Sequence, residues 1–183
     1  MESEREEYAY ILDFLPNGYP FEARPGKRGA VAQALGKERF TLLELIPKKD
    51  IFLQPYQEVY IGEQKRDHIH HISGALQYEK LTVSAKNELP YVVKQIVEQN
   101  PAKFVKFYND AGPLSTRMHM LELIPGIGKK HMWELLEERQ KEPFKSFEDM
   151  KKRVKLMPDP EQGIIRRILL ELEGQEKRKI FIR

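Results

Sequence analysis

The chain has 183 residues, with 40% apolar and 32% charged types and 31 Lys/Arg against 28 Asp/Glu. That is room for one large domain or a few small ones, and a formal surplus of +3 does not by itself diagnose a nucleic-acid binder. The absence of Cys excludes disulfides, thiolate metal sites and cysteine nucleophiles, and no run approaches the ~18 apolar residues of a membrane helix.

Residues 1–7 carry four Glu and one Arg and read as a loose, solvated end. A secretory leader would be basic and then apolar, so the expected location is the cytoplasm, with no membrane partner. YAYILDFLP predicts a strand from about Tyr8 to Leu15, stopped by Pro16, Asn17 and Gly18. The stretch from Pro16 to Gly29 holds three prolines and is a loop. VAQAL and FTLLELI then flank a hairpin turn at Gly36–Arg39, followed by short runs IFLQ, EVYI and HIHHI. Short runs punctuated by turns favour a small β-barrel over about residues 8–83, because closure hides otherwise exposed sheet edges.

The pattern changes near Ser84. Ser84 or Asn87 is a candidate helix cap, with Pro90 in the first turn and Tyr91, Val93, Ile96 and Val97 as an apolar stripe. Phe104, Val105, Phe107 and Tyr108 indicate a second short helix that ends at Asn109–Pro113. Residues 84–112 thus read as linking helices, 113–176 as an all-α unit and 177–183 as a basic tail. The expected class is α+β: a small barrel followed by helices.

Within the helical part, Ser115 or Thr116 is placed to cap a helix running to about Leu123. LIPGIGKKHMWELLEE follows: Pro125 ends that helix, Gly126 and Gly128 bracket Ile127, and a new helix starts near Lys129. A glycine turn at a helix start exposes amides with no intrahelical partner, and glycine lacks the Cβ that would hold an anion away. The helix dipole favours negative charge there, and Lys129 and Lys130 add cations. Ile127 is expected to plug the two-helix core. The rival reading is a packing corner with incidental lysines.

This segment resembles the helix-hairpin-helix motif of DNA-repair and RNA-processing proteins. The resemblance implies sugar-phosphate contacts, without base reading, at Gly126, Ile127, Gly128 and Lys129. One departure is Met132, where the motif usually has a small Ala. FEDMKKRVKLMPDPEQGIIRRILLEL reads as a degenerate second copy. Ser146 would cap Phe147–Val154, and Asp159 would cap about Glu161–Leu172. Matching Met157-Pro158 to Ile124-Pro125 puts Asp159 and Glu161 where the first copy has glycines. Carboxylates there repel phosphate, so this copy is expected to be structural.

Residues 141–183 hold twelve Lys/Arg against eight Asp/Glu. Lys151, Lys152, Arg153, Arg166 and Arg167 are further candidates for phosphate contact, and so are Arg24, Lys27 and Arg28 in the first loop. Tyr19, Phe21 and Tyr56 are candidates for stacking on unpaired bases, as in OB- or S1-like barrels, although core packing is the default for an aromatic. Trp133 reads as a core or inter-domain anchor, with a stacking platform as the rival reading. His68 and His70 share a strand face, but a third ligand is missing, so neither a metal nor a cofactor is expected. His119 and His131 flank the hairpin and are expected to be partly charged near neutral pH.

An OB/S1-like barrel, linking helices and a helix-hairpin-helix unit together resemble an uncharacterised, largely archaeal family of predicted RNA-binding proteins. The expected function is non-enzymatic, sequence-independent nucleic-acid binding, with RNA favoured over DNA. The rivals are a metal-dependent nuclease using Asp67, His68 and His70, and an adaptor in a ribonucleoprotein or repair complex.

Overall fold

The structure, a computed structural model, describes residues 5–21 and 29–183. The fold is α+β: a five-stranded antiparallel sheet, curled into an OB/S1-like half-barrel, followed by a set of α-helices. The strands are β1 (Tyr8–Leu15), β2 (Val31–Gly36), β3 (Leu42–Pro47), β4 (Glu58–Tyr60) and β5 (Ile69–Ala75), in the order β4-β1-β2-β3-β5. The central strand β2 is buried along its whole length. On one face Ala9, Ile11, Ala32, Ala34, Leu43 and Leu45 pack with Leu53, Val59, Ile61 and Ile69. Gln33 is buried without an orphan group. Its amide donates to Tyr19 Oη (3.1 Å) and the Lys80 carbonyl (3.0 Å) and accepts from the Thr82 amide (2.9 Å).

The acidic N-terminus is not loose where it is described. The Glu6 carboxylate accepts from the amides of Glu38 (2.8 Å), Arg39 (3.0 Å) and Thr41 (3.1 Å) in the β2–β3 turn. In return the Glu38 carboxylate accepts from the amides of Glu7 (3.1 Å) and Tyr8 (3.3 Å). A Cβ on Gly36 would collide with the Glu6 carboxyl, so glycine at the start of this turn admits the acid. The expected IFLQ strand is also absent. Asp50 and Tyr56 adopt φ of 62° and 69°, and the Ile51 amide turns back to the Lys48 carbonyl (3.2 Å). The run therefore loops around Leu53, which is buried, while Phe52 is exposed.

Five helices follow: α1 (Val83–Gln99), α2 (Pro101–Asp110), α3 (Lys129–Lys141), α4 (Phe147–Arg153) and α5 (Pro160–Leu172). The cap of α1 is Thr82, whose Oγ1 accepts from the Ala85 amide (3.0 Å), rather than Ser84 or Asn87. Pro90 thus lies inside the helix, and Tyr91 is exposed, while Val92, Val93, Ile96 and Val97 are buried. Val93–Leu170 form one compact unit; the sheet, residues up to Val92 and Glu171–Arg183 form the other. In the latter the buried Glu171 carboxylate accepts from the amides of Ile180 and Phe181, which anchors the basic tail.

In the helical unit, the Tyr108 hydroxyl donates to the Pro160 carbonyl (2.7 Å), and burial pushes its pKa up. The helix expected from Ser115 is a loop instead. The Ser115 hydroxyl accepts from the amides of Arg117 (3.2 Å) and Met118 (3.1 Å), and Pro113 pairs with His119 as an antiparallel bridge. Only Met120–Leu123 is helical, as one 3₁₀ turn. The hydroxyl that would have capped a helix is satisfied within the loop.

Candidate nucleic-acid interface

The first hairpin is built from the 3₁₀ turn Met120–Leu123, residues 124–128 and α3. His119 and Glu122 form a reciprocal cap: His119 Nδ1 accepts from the Leu121 amide (3.1 Å), and the Glu122 carboxylate accepts from the His119 amide (2.8 Å). Burial, with Arg139 next, lowers the His119 pKa, which works against the partial charge expected near neutral pH. The His119 amide and then Lys129 hold the Glu122 carboxyl below its ordinary value.

The turn closes when the Ile127 amide donates to the Ile124 carbonyl (3.1 Å). That amide is therefore spent, and Ile127 is buried as a plug. Gly126 adopts φ +87°, the left-handed region that favours glycine. Gly128 is the N-cap of α3, has no side chain with which to cap it, and a Cβ there would meet no atom within 4 Å. The open part of the hairpin is thus Gly128 and the first turn of α3. The two lysines differ. Lys129 Nζ donates to the Arg117 carbonyl (2.6 Å) and to Glu122 (2.9 Å), so it braces the loop. Lys130 is exposed and has no ion-pair partner among the described residues.

The second hairpin joins α4 to α5 with a register other than the expected one. Leu156 carries the positive φ (65°), and Asp159 is the cap, accepting from the amides of Glu161 (2.9 Å) and Gln162 (3.1 Å). Leu156 therefore corresponds to Gly126 and Asp159 to Gly128, with one extra residue between them. Ser146 caps α4 through the Asp149 amide (3.0 Å), as expected from the sequence. The two loops touch: a Cβ on Gly126 would lie 2.9 Å from Pro158 Cγ. Met132, in place of a small residue, is buried, and the close helix approach occurs instead at Gly163, where a Cβ would lie 2.8 Å from Ile124 Cγ2.

The remaining basic candidates separate into bracing and free residues. Arg153 donates to the carbonyls of Glu138 and Glu142 at the end of α3 (the latter at 2.6 Å) and to Asp149 (3.1 Å), and lies over the Phe144 ring. Arg167 is 2% exposed and donates to the Leu123 carbonyl (3.2 Å). Lys151 bridges Glu148 (3.2 Å) and Asp159 (3.1 Å). Lys152, Lys155 and Arg166 are exposed and without ion-pair partners among the described residues. Arg24, Lys27 and Arg28 lie outside the described residues.

Trp133 is 64% exposed on α3, not a core anchor, because Met132 and Leu135 take the buried side of the helix. Sequence reasoning missed Arg117. No periodicity marks it, and it reaches the hairpin only through the Lys129 bond to its carbonyl. In the sheet unit, Tyr19 donates to Glu44 (2.7 Å) and is half-buried, and Phe21 is exposed. Tyr56 is tethered through its hydroxyl to Glu88, which pushes its pKa up to about 12. His70 and His71 place their Nδ1 atoms 2.7 Å apart, so His70 pairs with His71 and not with His68. The ladder irregularity opposite, between Ile46 and Pro47, explains this. Among the described residues, no three His, Asp or Glu side chains gather as a metal site, and no helix is long and apolar enough to cross a membrane.

Residues 5–183 match the family described as "Protein of unknown function (DUF655)". "Uncharacterized protein MJ0038" of Methanocaldococcus jannaschii is 42% identical over 177 residues, covering 97% of this chain and 79% of that protein. The crystal structure of Af1531 from Archaeoglobus fulgidus is similar to this one with a TM-score of 0.88 and 47% identity, over 97% of this chain and all of that chain. Sequence and curled-sheet-plus-helices architecture agree, and the chain belongs to the DUF655 family.

Proposed function

We propose that this protein binds nucleic acid without catalysis, through phosphate contacts at the first turn of α3. The observation that carries the reading is Gly128: an N-cap with neither side chain nor neighbour over it, followed by the unpaired Lys130. The Gly126–Pro158 contact sets the second loop, with Lys155, beside the first. This arrangement meets two points on a sugar-phosphate backbone and reads no bases. RNA is placed before DNA on the resemblance to predicted RNA-binding proteins, since phosphate contacts do not distinguish the sugars. A cytoplasmic location is part of the same reading.

The test is a titration against structured RNA, single-stranded RNA and duplex DNA over a salt series, with Lys130→Ala and Lys155→Ala in parallel. Affinity is expected to fall steeply with salt, and each substitution to reduce the salt slope by about one. Binding no tighter than that of a charge-matched control protein, or unaffected by both substitutions, removes the reading. Cleavage of any of these substrates after addition of Mg²⁺ or Mn²⁺ removes its non-catalytic part.

A further inference from the structure

Trp133 is the only tryptophan of the chain, and most of its surface faces solvent. An indole is usually covered, by core or by partner. Here the register of α3 turns it outward, on the same side as the exposed Lys129 and Lys130, one turn earlier. The bond from Lys129 to the Arg117 carbonyl adds the loop residue Arg117 to that end of the helix. Arg117 and Lys130 are exposed and have no ion-pair partners among the described residues. Of the nearby carboxylates, Glu122 pairs with Lys129 (2.9 Å) and Glu137 with Lys141 (3.7 Å), while Glu134 contacts the His131 ring (3.3 Å). The indole is thus an exposed aromatic face on α3, with two cations free of ion pairs, Lys130 and Arg117, at the start of the same helix.

We propose that Trp133 is a stacking platform for an unpaired base of a bound strand, with Lys130 and Arg117 holding the adjoining phosphate. This rests on the nucleic-acid reading above and narrows the ligand from any polyanionic backbone to a strand with at least one unstacked base. An apolar protein ligand would leave the two cations unmatched. A nucleotide satisfies both: its base has a π-face for the indole, and its phosphate has the charge. Along a fully paired duplex the phosphates are offered but the base faces are stacked away, save at the two ends.

The lone tryptophan supplies its own reporter. Its emission would be followed while single-stranded RNA, an RNA hairpin with a bulged base and a blunt RNA duplex of equal length are titrated in. The anisotropy of a label on each RNA reports binding independently. Quenching is expected with the first two and not with the blunt duplex. Trp133→Ala is expected to weaken single-strand binding about ten- to a hundredfold while leaving the blunt duplex within about twofold, and Trp133→Phe to restore most of the loss. Circular dichroism melts establish that both variants are folded. Binding by anisotropy without any change in emission overturns the stacking proposal and leaves the backbone reading intact. Equal weakening on all three RNAs by folded Trp133→Ala, or recovery in neither measurement with Trp133→Phe, also overturns it. No binding of any RNA removes both readings together.

Discussion

Gly126, at φ +87°, lies against the ring of Pro158, so the turn of the first hairpin is seated on the loop of the second. Gly128, two residues on, faces open space. One glycine therefore serves the fold, while the other leaves room for a ligand.

Substitutions at the two should separate accordingly. Gly126→Ala forces an L-residue into the left-handed region and drives its methyl into Pro158, at a cost of about 1–3 kcal/mol. It should lower the urea midpoint. Gly128→Ala should stay within about 1 kcal/mol of the parent, yet weaken RNA binding, because the methyl occupies the anion's approach. Equal loss of stability in both variants would remove this division of roles.

Gly163 reverses a general preference. Glycine to alanine inside a helix ordinarily stabilises by about 1 kcal/mol. Here the new methyl would sit 2.8 Å from Ile124 Cγ2, a branch of a buried side chain that has no free end to swing away. Overpacking of this kind costs about 1–3 kcal/mol. Gly163→Ala should therefore destabilise, measured as a lower Tm, and Gly163→Ala with Ile124→Val should not recover fully, because Val keeps the Cγ2 methyl that clashes and loses only Cδ1.

Arg153 and its neighbour Lys152 should behave oppositely. The Arg153 guanidinium caps the end of α3, sharing the Glu138 carbonyl with the Glu142 amide and taking the Glu142 carbonyl for itself. Arg153→Ala should cost about 2–3 kcal/mol through those charged hydrogen bonds, and Arg153→Lys should rescue little, because an ammonium lacks the fork. Lys152→Ala should leave the melt unchanged. Its only expected effect is a smaller salt slope in RNA binding.

Glu38 gives the sheet unit a pH dependence. Burial first, and then the hydrogen bond to the Glu6 carboxyl, push its pKa up to about 7 from 4.5, against the lowering effect of the Tyr8 and Glu7 amides. The folded state thus holds a proton that the unfolded chain releases, and the associated stability is complete below about 4.5 and lost as pH rises towards about 7. Urea midpoints should fall between pH 5 and pH 8. Glu38→Gln, which keeps an acceptor for the two amides, should flatten that trend. A midpoint that rises over the same interval would contradict the assignment.

Much of the architecture was legible in local signals. Tyr8–Leu15 and Val31–Gly36 announce themselves by apolar runs ended by turn residues, and α4 and α5 by Ser146 and Asp159 at their starts. Caps and turns act within a few residues, so a linear pattern carries them. The loop at 113–119 misled for the same reason. Ser115 has the chemistry of a helix cap, and only the Pro113–His119 bridge, closed across the loop, directs its hydroxyl elsewhere.

For the site, the sequence alone determined the glycine hairpin and the start of α3, because both are matters of backbone freedom over a few consecutive residues. It could not decide which cations are free. Arg153 and Arg167 look like Lys130 in a row of letters, but each is turned by packing onto a backbone carbonyl far along the chain, at Glu138 and at Leu123. Exposure of Trp133 and arrival of Arg117 were likewise decided in three dimensions, since the outward side of α3 and the loop beside it are set by what the rest of the unit buries.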